Sequence, residues 1–312
     1  MVFDFYAKLD ASNESPKNLS LPCDLVSGFV DICTIDSLKT ERKGKSQADA
    51  QERYRKHVET RRRELKLPEC LGLDAQFNNL PDPDWIAFEV CFKLKTPWYS
   101  KDDRTFHVLH NPVRKDRVFG VPFMSAASWK GLLRWACRMH AGLRDHLERS
   151  ERKLEGWKDR DWIIHLFGNE KAEGQAFQRG ALAFYPTWFF NLGFQVINPH
   201  SREKRAGTGP IYYEVVPEET CGVLKLLYAP LPNAADKGKV EPADALVKLM
   251  KSIEKLLTTY GISAKRTTGW GTAEIECWKA KLCNGKAVKE NDLKNFIEQL
   301  KGSLTASGAH RE

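Results

Sequence analysis

From Trp85 to Lys95 apolar side chains fall on alternate positions, Ile86, Phe88, Val90, Phe92 and Leu94, which is the period of a strand with one face against a core. After a polar excursion over 96–124 the period lengthens. Leu132, Leu133, Ala136, Met139, His140 and Leu143 recur at helical spacing, and Ser125 or Ser128 can cap a helix that runs toward Leu147. Two further strands are predicted at 181–185 and 223–228. A helix follows over 242–260, with Pro242 at its start and Leu246, Leu249, Met250, Ile253 and Leu257 as its apolar stripe. The last strand is predicted at 272–278. Strand, helix, strand, strand, helix, strand is the α+β, ferredoxin-like (RRM-like) β-α-β-β-α-β order, here with inserted loops.

The flanks are of a different character. Residues 1–44 are polar and irregular and receive no assignment. A helix is predicted over 46–67, where Gly and Pro are absent, but its apolar stripe is only Ala50, Tyr54, Val58 and Leu65. Arg53, Arg55, Lys56, Arg61, Arg62, Arg63 and Lys66 make the rest a solvated charged face. The proline-rich stretch 67–84 reads as a boundary. The expected organisation is therefore an irregular and helical N-terminal addition over 1–84, the core over 85–280, and a C-terminal helix and tail over 281–312.

Composition narrows the class. A chain of 312 residues that is 42% hydrophobic can bury one large core or two modest ones. No apolar run approaches the roughly 20 residues of a membrane helix, and the first residues lack a basic stretch followed by an apolar one, so a cytoplasmic protein is expected. The eight cysteines are scattered without a Cys-x-x-Cys pair. Reduced thiols and no metal or other cofactor are expected, with Cys91 and Cys221 acting as small hydrophobes. The net charge of +8 is compatible with a nucleic-acid partner. Neither a phosphate-binding Gly-x-x-x-x-Gly-Lys-Ser/Thr loop nor a Gly-x-Ser-x-Gly elbow is present, so an ATPase or serine-hydrolase reading has no support.

Two segments carry chemistry. Residues 261–271, Gly-Ile-Ser-Ala-Lys-Arg-Thr-Thr-Gly-Trp-Gly, combine Gly261, Gly269 and Gly271 with the adjacent cations Lys265 and Arg266, a combination that suits a polyanion. Taken alone the segment is equally a helix cap followed by a turn. Residues 122–134 open the first core helix, placing Lys130 in its first turns and Arg134 four residues on along the same face. That face suits a phosphate, or solvent.

These segments resemble the RAMP superfamily of CRISPR-associated proteins. The superfamily's Pro-x-Ser-Ser-x-Lys-Gly-x-x-Arg type segment matches Pro122 to Arg134, and its C-terminal Gly-Ile-Gly-x-Lys-x-x-x-Gly-x-Gly loop matches Gly261 to Gly271. Ser125-Ala126-Ala127-Ser128 and Ser263 are small departures. A third match, Val196-Ile197-Asn198-Pro199-His200 followed by Gly209-Pro210-Ile211, resembles the sixth-subunit branch of Cmr-type (type III-B) effector complexes. The resemblance implies a non-catalytic subunit of a type III CRISPR ribonucleoprotein effector that targets foreign RNA. Its implied partners are CRISPR guide RNA, target RNA and other RAMP subunits. The implied RNA contacts are Lys130, Arg134, Asn198, His200, Arg202, Gly261, Lys265, Arg266, Gly269 and Gly271.

Two enzymatic alternatives stand beside it. RNA-cleaving backbone subunits of type III complexes carry an Asp where this chain has His110, and an imidazole does not replace a carboxylate that works with a metal ion. Asp102 or Asp103 on the same excursion could supply one, with Mg²⁺. A guide-processing endoribonuclease would instead use His140 or His110 as general base. A protein-interaction module that binds no RNA is the alternative from a third class.

Overall fold

The computed structural model describes residues 47–61, 65–103, 107–169, 178–198, 210–231, 240–283 and 285–308. In chain order the elements are α1 (Gln47–Arg61), β1 (Ile86–Leu94), β2 (Phe123–Met124), α2 (Ala126–His140), α3 (Leu143–Arg149), α4 (Asp161–Phe167), β3 (Leu182–Phe184) and β4 (Thr187–Trp188). Then follow β5 (Gly193–Ile197), β6 (Ile211–Val215), β7 (Cys221–Tyr228), α5 (Pro242–Lys255), β8 (Ala273–Leu282), β9 (Ala287–Glu290) and α6 (Leu293–Gly308). They fall into two units. One takes the described residues up to Pro68 with Tyr99–Phe123 and Phe189–Pro217; the other takes Glu69–Trp98, Met124–Trp188 and the described residues from Glu218 on.

The larger unit is a mixed α/β structure around a central antiparallel sheet of order β3-β7-β1-β8-β9. The alternation in β1 explains its central place. Phe88, Val90, Phe92 and Leu94 are buried at 1% exposure or less on one face, and Phe92 meets Trp129 of α2 edge to face at 6.2 Å. β1 pairs with β7 from Ile86↔Tyr228 to Lys93↔Cys221, and with β8 from Ile86↔Leu282 to Leu94↔Ala273. A register shift between Cys91 and Phe92 marks a bulge. The other face is covered at one end by residues that precede β1. Leu80 packs with Ala87 and Leu227, and the Lys225 ammonium donates to Asp74 Oδ2 and the Ala75 carbonyl, each at 2.8 Å.

The core helices follow their stripes. Ser125 caps α2 by accepting from the Ser128 N–H at 3.2 Å, and Trp129, Leu133, Ala136 and Cys137 are buried. The helix predicted toward Leu147 is broken instead, because Gly142 takes a left-handed φ of 99° and α3 starts afresh. Leu246, Leu249, Met250 and Ile253 bury the inner face of α5. Its last turn, Leu256–Tyr260, widens to a π-helix that ends on Gly261. His165 is structural, sharing a hydrogen bond of 2.9 Å with the Tyr228 hydroxyl. Among the described residues Cys91, Cys137, Cys221, Cys277 and Cys283 are free thiols; Cys221 is exposed, so it is not a packed hydrophobe as its apolar surroundings predicted.

The smaller unit gathers three distant stretches. β5 and β6 form a hairpin with Gly193↔Val215 and Ile197↔Ile211 opposite each other, and bridges at Lys101↔Val113 and Lys115↔Pro122 fold the polar excursion back on itself. Buried charge joins them. Glu214, fully buried, accepts from the Tyr54 hydroxyl of α1 at 2.7 Å, the Lys115 ammonium at 2.5 Å and the Val113 N–H at 3.1 Å. The thin stripe of α1 is thus its buried side: Tyr54 and Val58 are at 0% exposure while Arg53 and Lys56 are solvated. Among the described residues no helix is long and apolar enough to cross a membrane.

Candidate nucleic-acid interface

Residues 261–271 form a closed loop whose neck is two glycines. Gly261 (φ 77°) follows the π turn and donates to the Leu256 carbonyl at 2.8 Å, and the Ile262 N–H donates to the Gly271 carbonyl at 2.9 Å. A Cβ on Gly261 would lie 2.7 Å from the Trp270 oxygen, and one on Gly271 (φ 83°) would lie 2.4 Å from the Ser263 nitrogen. Only glycine allows the two arms to come this close. Ser263, at the small departure from the family pattern, is 2% exposed and accepts from the Lys265 N–H at 3.3 Å. Gly269 has a different role. It takes a left-handed φ of 83° after the 3₁₀ turn Arg266–Thr268, and a Cβ there would meet open space.

The loop is pinned to the end of β1. Thr96 Oγ1 donates to the Gly269 carbonyl at 3.0 Å and accepts from the Thr272 N–H at 2.9 Å, while the buried Trp98 indole donates to the Ile262 carbonyl at 3.0 Å. Its tip is left outward. Ala264, Thr267, Thr268 and Gly269 are exposed, with Lys265 and Arg266 half-buried between them.

Arg266 is the electrostatic feature of the loop. Its guanidinium lies over the Trp135 ring of α2 at 4.6 Å, and Trp135 meets Tyr260 edge to face at 4.9 Å. No carboxylate among the described residues pairs with it, and its Nη1 is buried without a hydrogen-bond partner. Burial alone draws its pKa below the ordinary arginine value. The ring offsets that desolvation only in part and no carboxylate completes it, so an anion arriving there gains more than it would at a paired cation.

Lys130 is exposed on α2, one turn before Arg134. Arg134 is already engaged: its Nε and Nη2 donate to Asp159 Oδ2 at 2.9 and 2.7 Å. Arg138 donates to the same carboxylate at 2.6 and 2.9 Å, and the Trp157 indole adds a bond of 3.0 Å. Asp159 is 2% exposed and escaped the sequence reading; the available signal was Arg134 and Arg138, one turn apart on α2, which need a counter-charge once that face is covered.

Asp102, Asp103, His110 and Asn198 belong to the smaller unit. Asp102 is buried, while Asp103 is exposed and lies 3.6 Å from both Arg114 and Arg117, whose charges hold its carboxyl below the ordinary value. His110 and Asn198 are exposed. His200 and Arg202 lie outside the described residues. Among the described residues no cluster of three or more His, Cys, Asp or Glu is arranged to hold a metal ion.

No curated protein matches the chain. Among solved structures, a chain of the type III-B Cmr-beta complex bound to cognate target RNA is similar at a TM-score of 0.43 and 13% identity, covering 84% of this chain and 92% of that one. A chain of the Csm3-Csm4 subcomplex of the type III-A CRISPR-Cas interference complex is similar at 0.41 and 15% identity, covering 70% of this chain and 95% of that one. The family model of the RAMP superfamily matches residues 91–274, well over half of the sequence and from β1 to the first residues of β8, and by that match the chain belongs to the RAMP superfamily.

Proposed function

We propose that the chain is a non-catalytic subunit of a type III CRISPR effector, related to the sixth subunit of Cmr-type complexes, that grips guide RNA through its phosphates. The observation that carries this reading is Arg266, a half-buried cation with no carboxylate partner, held on a loop whose neck leaves Lys265 and Arg266 at its tip. Phosphate supplies the missing charge and hydrogen-bond acceptors. Lys130 adds a solvated cation on α2, and Arg134, tied to Asp159, holds that region in place. Taken as β1-α2-β3-β7-α5-β8, the sheet order supports a ferredoxin-like core, and the loop then sits between the second core helix and the last core strand. Target sequence would be read by base pairing with the guide, and other RAMP subunits would flank the chain.

The non-catalytic part of the reading draws on Asp103, whose charge is met by two arginines and is less available to Mg²⁺. The test is filter binding of single-stranded RNA across a salt series. Lys265→Glu with Arg266→Glu is expected to weaken binding more than tenfold and to flatten the log–log salt slope by about 1.4, from about 0.7 per phosphate contact. Unchanged affinity and slope would reject the loop as the grip.

A further inference from the structure

Two of the free thiols face each other across the central sheet. Cys91 of β1 is the register partner of Cys277 of β8, beside the bulge that separates Cys91 from Phe92. Both lie on the face turned away from α2, since Phe92, the next residue, points to Trp129. The neighbouring pair in the same two rows confirms it: Glu89 and Lys279 are register partners and their side chains meet at 3.5 Å. Residues directly opposed on antiparallel strands hold their Cα atoms about 4.5–5.5 Å apart, inside the roughly 4.4–6.8 Å that a disulfide spans. The thiols already share a hydrogen bond; burial first, then that bond and the charge of Cys277, push the Cys91 pKa up to about 12. Two protonated thiols are therefore the resting state. Cys221 is on the same face but only diagonal to Cys91, whose partner on β7 is Val223, and a diagonal of about 7–8 Å is too long for the bond. Cys137 is buried in α2, and Cys283 donates to the Leu80 carbonyl at 3.1 Å.

We propose that Cys91 and Cys277 form a dithiol that a low-molecular-weight disulfide, such as oxidised glutathione, closes into a clamp between β1 and β8. Cys91 is half-buried and Cys277 is 9% exposed, so Cys91 reacts first. Its thiolate attacks one sulfur of the oxidant, forming a mixed disulfide and expelling one glutathione thiolate. Cys277 then attacks the Cys91 sulfur and expels the second. The two protein thiols give up two electrons and two protons, and the oxidant leaves as two thiols. The high pKa of Cys91 keeps the first step slow at neutral pH, which makes the clamp a response to sustained oxidation. It secures the strand pair beyond whose near ends Thr96 and Thr272 staple the glycine loop, and it stands whether or not that loop binds RNA.

The experiment incubates the full chain with oxidised glutathione, blocks remaining thiols with N-ethylmaleimide and reads a non-reduced digest by mass spectrometry. A linked pair of peptides carrying Cys91 and Cys277 is expected, lighter by two hydrogen atoms than the sum of the reduced peptides. Cys277→Ala should stop at a lasting glutathione adduct on Cys91, and Cys91→Ser should give no link to Cys277. Oxidised wild type is expected to melt at least about 4 °C above the reduced protein, a rise that Cys91→Ser lacks. A glutathione adduct on wild-type Cys91 that never resolves, a link from Cys91 to Cys221, or full alkylation of both thiols after oxidation would each overturn the pair. A link without a rise in melting temperature would overturn the clamp.

Discussion

Asp159→Ala is expected to lower the free energy of unfolding by about 3 kcal/mol, the lower end of the range for breaking a buried ion pair. The carboxylate is 2% exposed and receives five hydrogen bonds, two from Arg134, two from Arg138 and one from Trp157. Its removal takes from two partly buried guanidiniums the carboxylate they share. The arginines keep 14% and 22% of their side-chain exposure, so water offsets part of the loss. The acid limb gives an independent check. Burial by itself would raise the Asp159 pKa, but hydrogen bonds from Arg138, Trp157 and Arg134 outweigh it and hold the carboxyl below its ordinary value. The stabilisation is therefore complete above the unfolded pKa, about 3.9, and is lost as pH falls through the lower folded value. Urea unfolding of wild type and Asp159→Asn at neutral pH and below about pH 4 should show the gap between them narrowing on acidification. A gap independent of pH, or a neutral-pH loss under about 1 kcal/mol, would reduce the cluster to an ordinary solvated pair.

Gly271→Ala is expected to be strongly destabilising. It forces a left-handed residue to carry a Cβ, which costs roughly 1–2 kcal/mol, and directs that Cβ to 2.4 Å from the Ser263 nitrogen, a backbone atom with no rotamer through which to yield. The neck must open or the loop must leave its seat on Thr96. A loss of at least about 2 kcal/mol should follow, with a fall in melting temperature of roughly 4–8 °C. Gly269→Ala is the control, since it has the same sign of φ and open space around it, so only the conformational cost applies. Equal melting temperatures for the two variants would show that the neck does not depend on close approach.

The parts of this molecule that were legible in its sequence are those where one element meets one core. The alternation of β1 and the stripe of α5 each encode their own burial, and Ser125 marks the start of α2 by its own side chain. The glycine loop was legible as a loop, while the division of labour among its glycines was not: Gly261 and Gly271 close the neck, Gly269 turns the tip, and nothing local distinguishes them. The smaller unit was hidden for another reason. Its core is partly ionic, with Lys115 and Glu214 in its interior, and hydrophobic periodicity does not report a buried charge. The β5–β6 hairpin went unpredicted because Val196, Ile211 and Tyr212 are exposed apolar residues, which blurs the alternation that identifies a strand. Asp159 could be located only by asking what two arginines on one helix face would need.

The staple at Thr96 sets a timetable. Its hydroxyl bonds to Gly269 and Thr272, 173 and 176 residues later in the chain, and β8 must lie against β1 before those bonds can form. During translation the first core strand therefore waits, unpaired along the edge that β8 will occupy, until β8 itself has left the ribosome. Contacts at such separation are late and slow to close. The positively charged tip acquires its shape only once Thr272 is in place, so a nascent or truncated chain that stops short of Thr272 carries Lys265 and Arg266 without the Thr96 staple that holds the loop.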